Sequence, residues 1–207
     1  MITDYSTLQT AIANWLARAD LTGVIPTFIQ LAEKRIWRDI KHPAMITGDN
    51  DVLLSGAPYA SGLLQLSSYP DLISIISLIV TSGGNEIELV PLTAAAFANE
   101  SYRTVPYGYV MDSNSIYVIG GNGDESFKMR YWSSGTPVSD SNAGKIATWP
   151  DLYLYASLLE AAPYLKQDAR IQTWAAGYQQ AVEAINRVGN DARFNNSPRI
   201  KPVHYAP

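Results

Sequence analysis

Two histidines and one carboxylate in an apolar segment are the residues of this chain best suited to chemistry. His42 follows Lys41 and precedes Pro43, while His204 lies in a proline-containing C-terminal segment. A hydrolase needs its histidine beside a nucleophile and a carboxylate, or beside further metal ligands. Neither position offers that pattern, and His42 reads as the end of a helix. Asp49-Asn50-Asp51 carries oxygen ligands without the spaced ladder of a calcium loop, so a polar turn is expected there. Gly120-Gly121-Asn122-Gly123-Asp124-Glu125 could bring backbone close to a phosphate. It lacks the third glycine of a dinucleotide fingerprint, joins strand to strand, and occurs once where calcium-binding nonapeptides repeat, so it reads as a hairpin turn. Glu160 is the candidate for a perturbed carboxylate, because burial disfavours its charged form. An ion pair with Arg or Lys of a neighbouring helix is the simpler expectation. There is no Walker lysine, no His-Glu-x-x-His and no Gly-x-Ser-x-Gly. The absence of cysteine removes disulfides, thiolate zinc sites and cysteine nucleophiles together. The expectation is a protein that is not an enzyme and uses no cofactor or metal.

The elements that hold these residues change character along the chain. Ser6 and Gln9 have the form of a capping box, and Leu8, Ile12, Trp15 and Leu16 follow at helical spacing. After Asp20-Leu21-Thr22-Gly23, Pro26 fits the first turn of a second helix with Ile25, Phe28, Ile29, Ala32, Ile36 and Ile40 on one stripe. Lys34, Arg35, Arg38 and Lys41 load its C-terminal half, where they suit the helix dipole. From about 44 to 135 the period becomes that of strands. The run Ile73 to Val80 is rich in β-branched residues, and Glu86-Ile87-Glu88-Leu89 alternates. Thr93 to Tyr102 reads as a short helix, and Tyr107–Met111, Ser115–Ile119 and Ser126–Trp132 as a three-stranded meander. The segment Trp149 to Leu165 then reads as a helix capped by Asp151 and apolar nearly all round, which must be covered on most of its circumference. A last amphipathic helix starts at Gln167-Asp168 and carries Ile171, Trp174, Tyr178, Ala181, Val182, Ile185 and Val188.

The fold class expected is therefore α+β. Residues 1–43 and 148–189 form one antiparallel helical bundle, 44–135 an inserted antiparallel β region with a short helix, and 190–207 an extended C-terminal arm. That arm would span on the order of 60 Å fully extended. Arg193, Arg199 and Lys201 give it a positive balance, and Phe194, Ile200, Val203 and Tyr205 give it something to dock. The overall charge of −4 lacks the basic field of a general nucleic-acid binder. No secretory leader is visible, and the longest apolar run is too short for a membrane span, so the expectation is a soluble protein made in a cytoplasm. Thirteen tyrosines and five tryptophans exceed what a small core needs, and such residues are enriched where proteins meet.

The helices also carry a likeness. Tyr5-Ser6-Thr7-Leu8-Gln9-Thr10-Ala11-Ile12-Ala13-Asn14-Trp15-Leu16, then Asp20-Leu21-Thr22 and Ile25-Pro26-Thr27-Phe28-Ile29-Gln30-Leu31-Ala32-Glu33, resembles the N-terminus of bacteriophage head–tail adaptor (connector) proteins. Pro150-Asp151-Leu152-Tyr153-Leu154-Tyr155 and Leu158-Leu159-Glu160-Ala161-Ala162-Pro163-Tyr164-Leu165 are similar to that family's most recognisable stretch, as are Asp168-Ala169-Arg170 and Trp174. The β region agrees in layout, little in motif. The resemblance implies a structural virion protein at the head–tail interface, assembled in the host bacterial cytoplasm. It implies a homo-oligomeric ring, commonly twelvefold, beneath the portal protein. Such a ring extends the DNA channel without binding DNA specifically and receives tail or nozzle proteins. Under it, Tyr153, Tyr155, Glu160, Trp174 and Tyr178 would lie at the subunit or partner interface. Arg193, Phe194, Arg199, Ile200, Lys201 and Tyr205 would contact the portal, although no family motif is recognisable in that tail. Lys34, Arg35, Arg38 and Lys41 would face away from the channel or pair with acids of a neighbour. The competing readings are a tail completion or stopper protein and, in a different class, a carbohydrate-binding or hydrolytic module.

Overall fold

A computed structural model describes residues 1–47, 63–99, 104–112, 115–121, 126–165 and 169–194. The chain divides into two units: residues 1–43 with 135–207, and residues 44–134. The first is helical and the second is built of strands, so the protein is α+β.

In the helical unit, α1 spans Tyr5–Leu16. Its capping box, Asp4 with Thr7, is two residues upstream of the Ser6–Gln9 pair. The Asp4 carboxylate accepts from the Thr7 N–H at 2.8 Å, and the Thr7 hydroxyl accepts from the Asp4 N–H at 3.0 Å. Asp4 is extended and Ser6 is already helical, so Asp4 alone is placed to satisfy the free N–H groups of the first turn. Leu8, Ile12 and Leu16 are then buried on one face. A 3-10 turn, Ala19–Val24, leads into α2, Ile25–Asp39, with Pro26 in its first turn. Asn186 completes the far end of α2: its amide donates to the Asp39 carbonyl at 2.9 Å and its oxygen accepts from the Lys41 N–H at 2.7 Å.

The apolar helix α4 spans Pro150–Glu160 and α5 spans Arg170–Phe194. Asp151 is not the cap of α4. Trp149 holds that position with no side-chain hydrogen bond, and Asp151 sits in the first turn, where it acts only through the helix dipole. α4 packs against α1, α2 and α5, most extensively against the latter two, and is the centre of the bundle. That accounts for its lack of a polar face: Leu152, Tyr153, Leu154, Ala156, Ser157 and Leu158 are all buried, on nearly every side. The buried Ser157 hydroxyl donates to the Tyr153 carbonyl at 2.7 Å, so it is not left without a partner. α5 runs about 37 Å at 1.5 Å per residue. It continues as helix to Phe194, so the segment expected to be extended from 190 is helical for its first five residues. Nothing between Gly189 and Phe194 breaks the helix, and the first proline is Pro198.

The described residues of the second unit form eight strands and one short α-helix: β1 Ile46–Thr47, β2 Leu63–Gln65, β3 Leu72–Ser82, β4 Asn85–Glu88, β5 Val90–Pro91, α3 Ala94–Ala98, β6 Gly108–Asp112, β7 Ser115–Ile119 and β8 Ser126–Ser133. They make two four-stranded sheets, ordered β1-β8-β3-β4 and β2-β7-β6-β5, antiparallel except for the β5–β6 pair. The late meander is therefore replaced by a split. β6 and β7 pair as a hairpin, whereas β8 crosses to the 11-residue β3, with which it is paired from Leu72↔Ser133 to Thr81↔Ser126. The free edge of β7 is taken by β2, and β3 is long enough to pair with β8 from end to end. Leu78, Val80, Phe127, Met129 and Tyr131 from one sheet share a core with Tyr109, Ile116 and Val118 from the other. Helix α3 is shorter than the segment Thr93 to Tyr102. Thr93 caps it, accepting from the Ala96 N–H at 3.2 Å, and it ends at Asn99. Asp49-Asn50-Asp51, most of the glycine turn after Gly121, His204, Arg199, Ile200, Lys201 and Tyr205 lie outside the described residues.

Candidate assembly surface

Of the five bundle residues expected at the interface, Tyr155, Glu160 and Tyr178 contact another helix of this chain, and Tyr153 and Trp174 are buried. Tyr153 on α4 is 3% exposed, and Trp174 and Tyr178 on α5 are 2% and 6% exposed. The Tyr178 hydroxyl donates to Asp39 on α2 at 2.7 Å, with the Arg35 guanidinium 5.9 Å from its ring centre. Burial, then the Asp39 hydrogen bond, hold that phenol well above its ordinary range. Glu160 accepts from Arg35 Nε at 2.7 Å, with Nη2 at 2.6 Å, so the carboxylate of α4 is ion-paired to α2. Tyr155 meets Trp15 of α1 edge-on at 5.9 Å and lies against Gly177 of α5, where a Cβ would come within 2.9 Å of its ring. Arg170 places its guanidinium 5.2 Å from the Trp174 ring centre and donates to the Trp15 carbonyl at 2.8 Å. Of the tail residues, Arg193 and Phe194 fall on the last turn of α5.

One buried acid escaped the sequence reading. Glu33 on α2 is buried and accepts from the Val138 N–H at 3.1 Å, tying the segment after Gly135 to the bundle. Desolvation raises its pKa to about 7, against the lowering effects of the Val138 hydrogen bond and of Lys34. Burial, and then the Glu33 charge, push the Tyr153 hydroxyl far above its usual value. The signal was present: Glu33 stands four residues after Ile29 and three before Ile36, on the apolar stripe of its helix.

In the β unit, Asp71 joins the start of β3 to the end of β8. It accepts from the Tyr131 hydroxyl at 3.3 Å and from the Ser133 hydroxyl, and its carbonyl accepts from the Ser134 N–H at 2.8 Å. These bonds latch the two strands together. Among the described residues, no group of His, Asp and Glu is arranged to hold a metal, and no helix is long and apolar enough to cross a membrane.

Residues 3–201 match the family model described as SU10 adaptor protein. The chain belongs to that family. It is a phage head–tail adaptor family, so the protein is a structural adaptor of the phage particle. A comparison with curated proteins finds no match.

An adaptor acts through surfaces, and two of this adaptor's differ sharply in charge. The outer face of α2 exposes Thr27, Gln30, Leu31, Lys34 and Arg38 in one line, with Leu31 47% exposed and the Lys34 ammonium 4.3 Å from the Trp37 ring centre. On β4, Glu86 and Glu88 face outward while Ile87 packs on the core between them. The whole-chain composition follows the same division. Residues 1–43 and 135–207 hold 12 Lys and Arg against 10 Asp and Glu, whereas residues 44–134 hold 3 against 9.

Proposed function

We propose that this adaptor assembles as a homo-oligomeric ring beneath the portal of the phage head, lengthens the DNA channel and provides the platform on which tail proteins dock. The observation that carries the proposal is the family match across residues 3–201, which takes in both the helical and the β unit. The bundle supports it physically. A ring subunit must present fixed surfaces; Tyr155, Glu160 and Tyr178 fix the helices of one chain to each other, and Tyr153 and Trp174 are buried on the same two helices. Their part in assembly is to hold the outer faces of α2 and α5 in register. The tail from Arg193 to Tyr205, with its positive balance and spaced apolar residues, is the segment proposed to reach the portal. DNA passes through the ring without specific contacts, since a tight phosphate grip would oppose sliding. Electron microscopy of the purified protein mixed with purified portal tests this. A ring of defined symmetry stacked on the portal is expected. A protein that remains monomeric beside intact portal defeats it.

A further inference from the structure

The charge on α2 and the charge on β4 have matching spacing. Lys34 and Arg38 are one helical turn apart, about 6 Å along the axis at 1.5 Å per residue. Glu86 and Glu88 are two strand residues apart, about 7 Å along β4. The helix pair lies on a solvent-facing stripe of the basic unit; the strand pair lies on a sheet edge of the acidic one. Among the described residues β4 pairs with β3 on one side and stands at the edge of its sheet. Across the sheet, Glu88 is level with Ile79 and then Lys128, and Glu86 with Thr81 and then Ser126, so the outer row at this edge is acidic and the basic residues lie two strands further in. Glu86 remains 55% exposed even while paired with Lys128.

We propose that the α2 stripe of one adaptor subunit, through Lys34 and Arg38, docks on the β4 edge of a second copy of this chain, through Glu86 and Glu88. The contact rests on the ring reading above and names the surfaces that would close the ring. It uses two different patches, one from each unit, and a head-to-tail contact of that kind generates rings, whereas a self-complementary patch stops at dimers. Leu31 on the same stripe supplies apolar contact beside the cations, which a protein partner can cover and a phosphate backbone cannot. The complementary acid is present in equal number by construction, because every copy carries both surfaces. Electrostatic complementarity of this type fixes register and rejects the wrong orientation.

A charge-swap experiment tests it. Lys34→Glu with Arg38→Glu in one protein, and Glu86→Lys with Glu88→Lys in another, should each lower the assembled fraction at least tenfold, alone and on portal, in sedimentation and electron microscopy. Mixing the two variants should restore rings, because in an even-membered ring where they alternate each meets the opposite charge at both of its contacts. That restoration also shows that both are folded. Either variant assembling like the wild type overturns the contact, as does a mixture that stays dissociated while both proteins melt cooperatively at the wild-type temperature. If the α2 variant instead loses retention of duplex DNA while the β4 variant assembles normally, the stripe grips phosphate and the proposal is wrong. Failure of the wild-type protein to form rings with portal removes the ring reading itself. Rings that ignore the swaps remove only this contact.

Discussion

Glu33 gives the bundle a stability that depends on pH, and the direction follows from its burial. Its carboxyl is held neutral to about pH 7 in the folded chain, whereas an unhindered glutamate ionises near 4.5. Between those values the folded protein binds a proton that the unfolded chain has released, so stability falls as pH rises through that window and is flat above it. A shift of that size corresponds to on the order of 3 kcal/mol. Glu33→Gln keeps an oxygen for the Val138 N–H and removes the titration. The melting temperature of the wild type should therefore drop between pH 5 and 8 while that of Glu33→Gln stays nearly level; parallel curves would show that Glu33 ionises freely. Ala17 gives a second expectation. It closes α1 in the left-handed region at φ 52, exposed to solvent, where a Cβ is a steric cost and glycine is the common solution. Ala17→Gly should gain a few tenths to about 1 kcal/mol, the relief of backbone strain exceeding the added freedom of the unfolded chain. Denaturant unfolding measures it. Glu33 shows why single residues were hard to read in the sequence: a glutamate on a helix is ordinarily solvated, and only its neighbours on the stripe mark it as buried.

The apolar character of α4 was legible as a need for cover, and α2 and α5 supply it. The boundaries were less so. A capping oxygen can come from Asp4 or Ser6 with equal chemistry, and which is used depends on where the apolar face must point. The split of the strands was hidden for a similar reason. Phe127, Met129 and Tyr131 alternate correctly, but alternation states which face is buried and not which strand lies alongside. Packing between elements turns on small residues at crossings, and Gly177 is one. It meets the Tyr155 ring so closely that a Cβ there would stand 2.9 Å from it. Gly177→Val should destabilise the bundle by about 1–3 kcal/mol through overpacking, despite valine's lower loss of backbone entropy. Adding Tyr155→Ala to that variant should recover part of the loss, since the clash and the ring are the same contact. Additive losses in the double mutant would show instead that the crossing has room and that the cost lies elsewhere on the helix.

At the scale of the molecule, the family was readable from two motifs at opposite ends of the chain, both of which lie in one helical unit because the bundle needs both ends to close. The tail was not readable in the same way. Its charge and spaced apolar residues suggested an arm from residue 190, but α5 continues through Arg193 and Phe194, so residues 190–194 belong to the helix. This fixes where a truncation should begin. Removing 195–207 leaves in place the described contacts that hold α5 to α2, among them the Tyr178–Asp39 and Asn186–Asp39 hydrogen bonds, so the melting temperature of the body should be unchanged. A cut at 190 would remove the last helical turn and confuse loss of fold with loss of function. If the tail reaches the portal, the 195–207 deletion should abolish portal binding in co-sedimentation. Arg199→Glu with Lys201→Glu in the full chain should weaken binding more at low salt than at high salt, because screening removes what the charges contribute. Portal binding retained by the truncated protein would place the contact on the bundle itself, with the exposed faces of α2 and α5 as the next surfaces to alter.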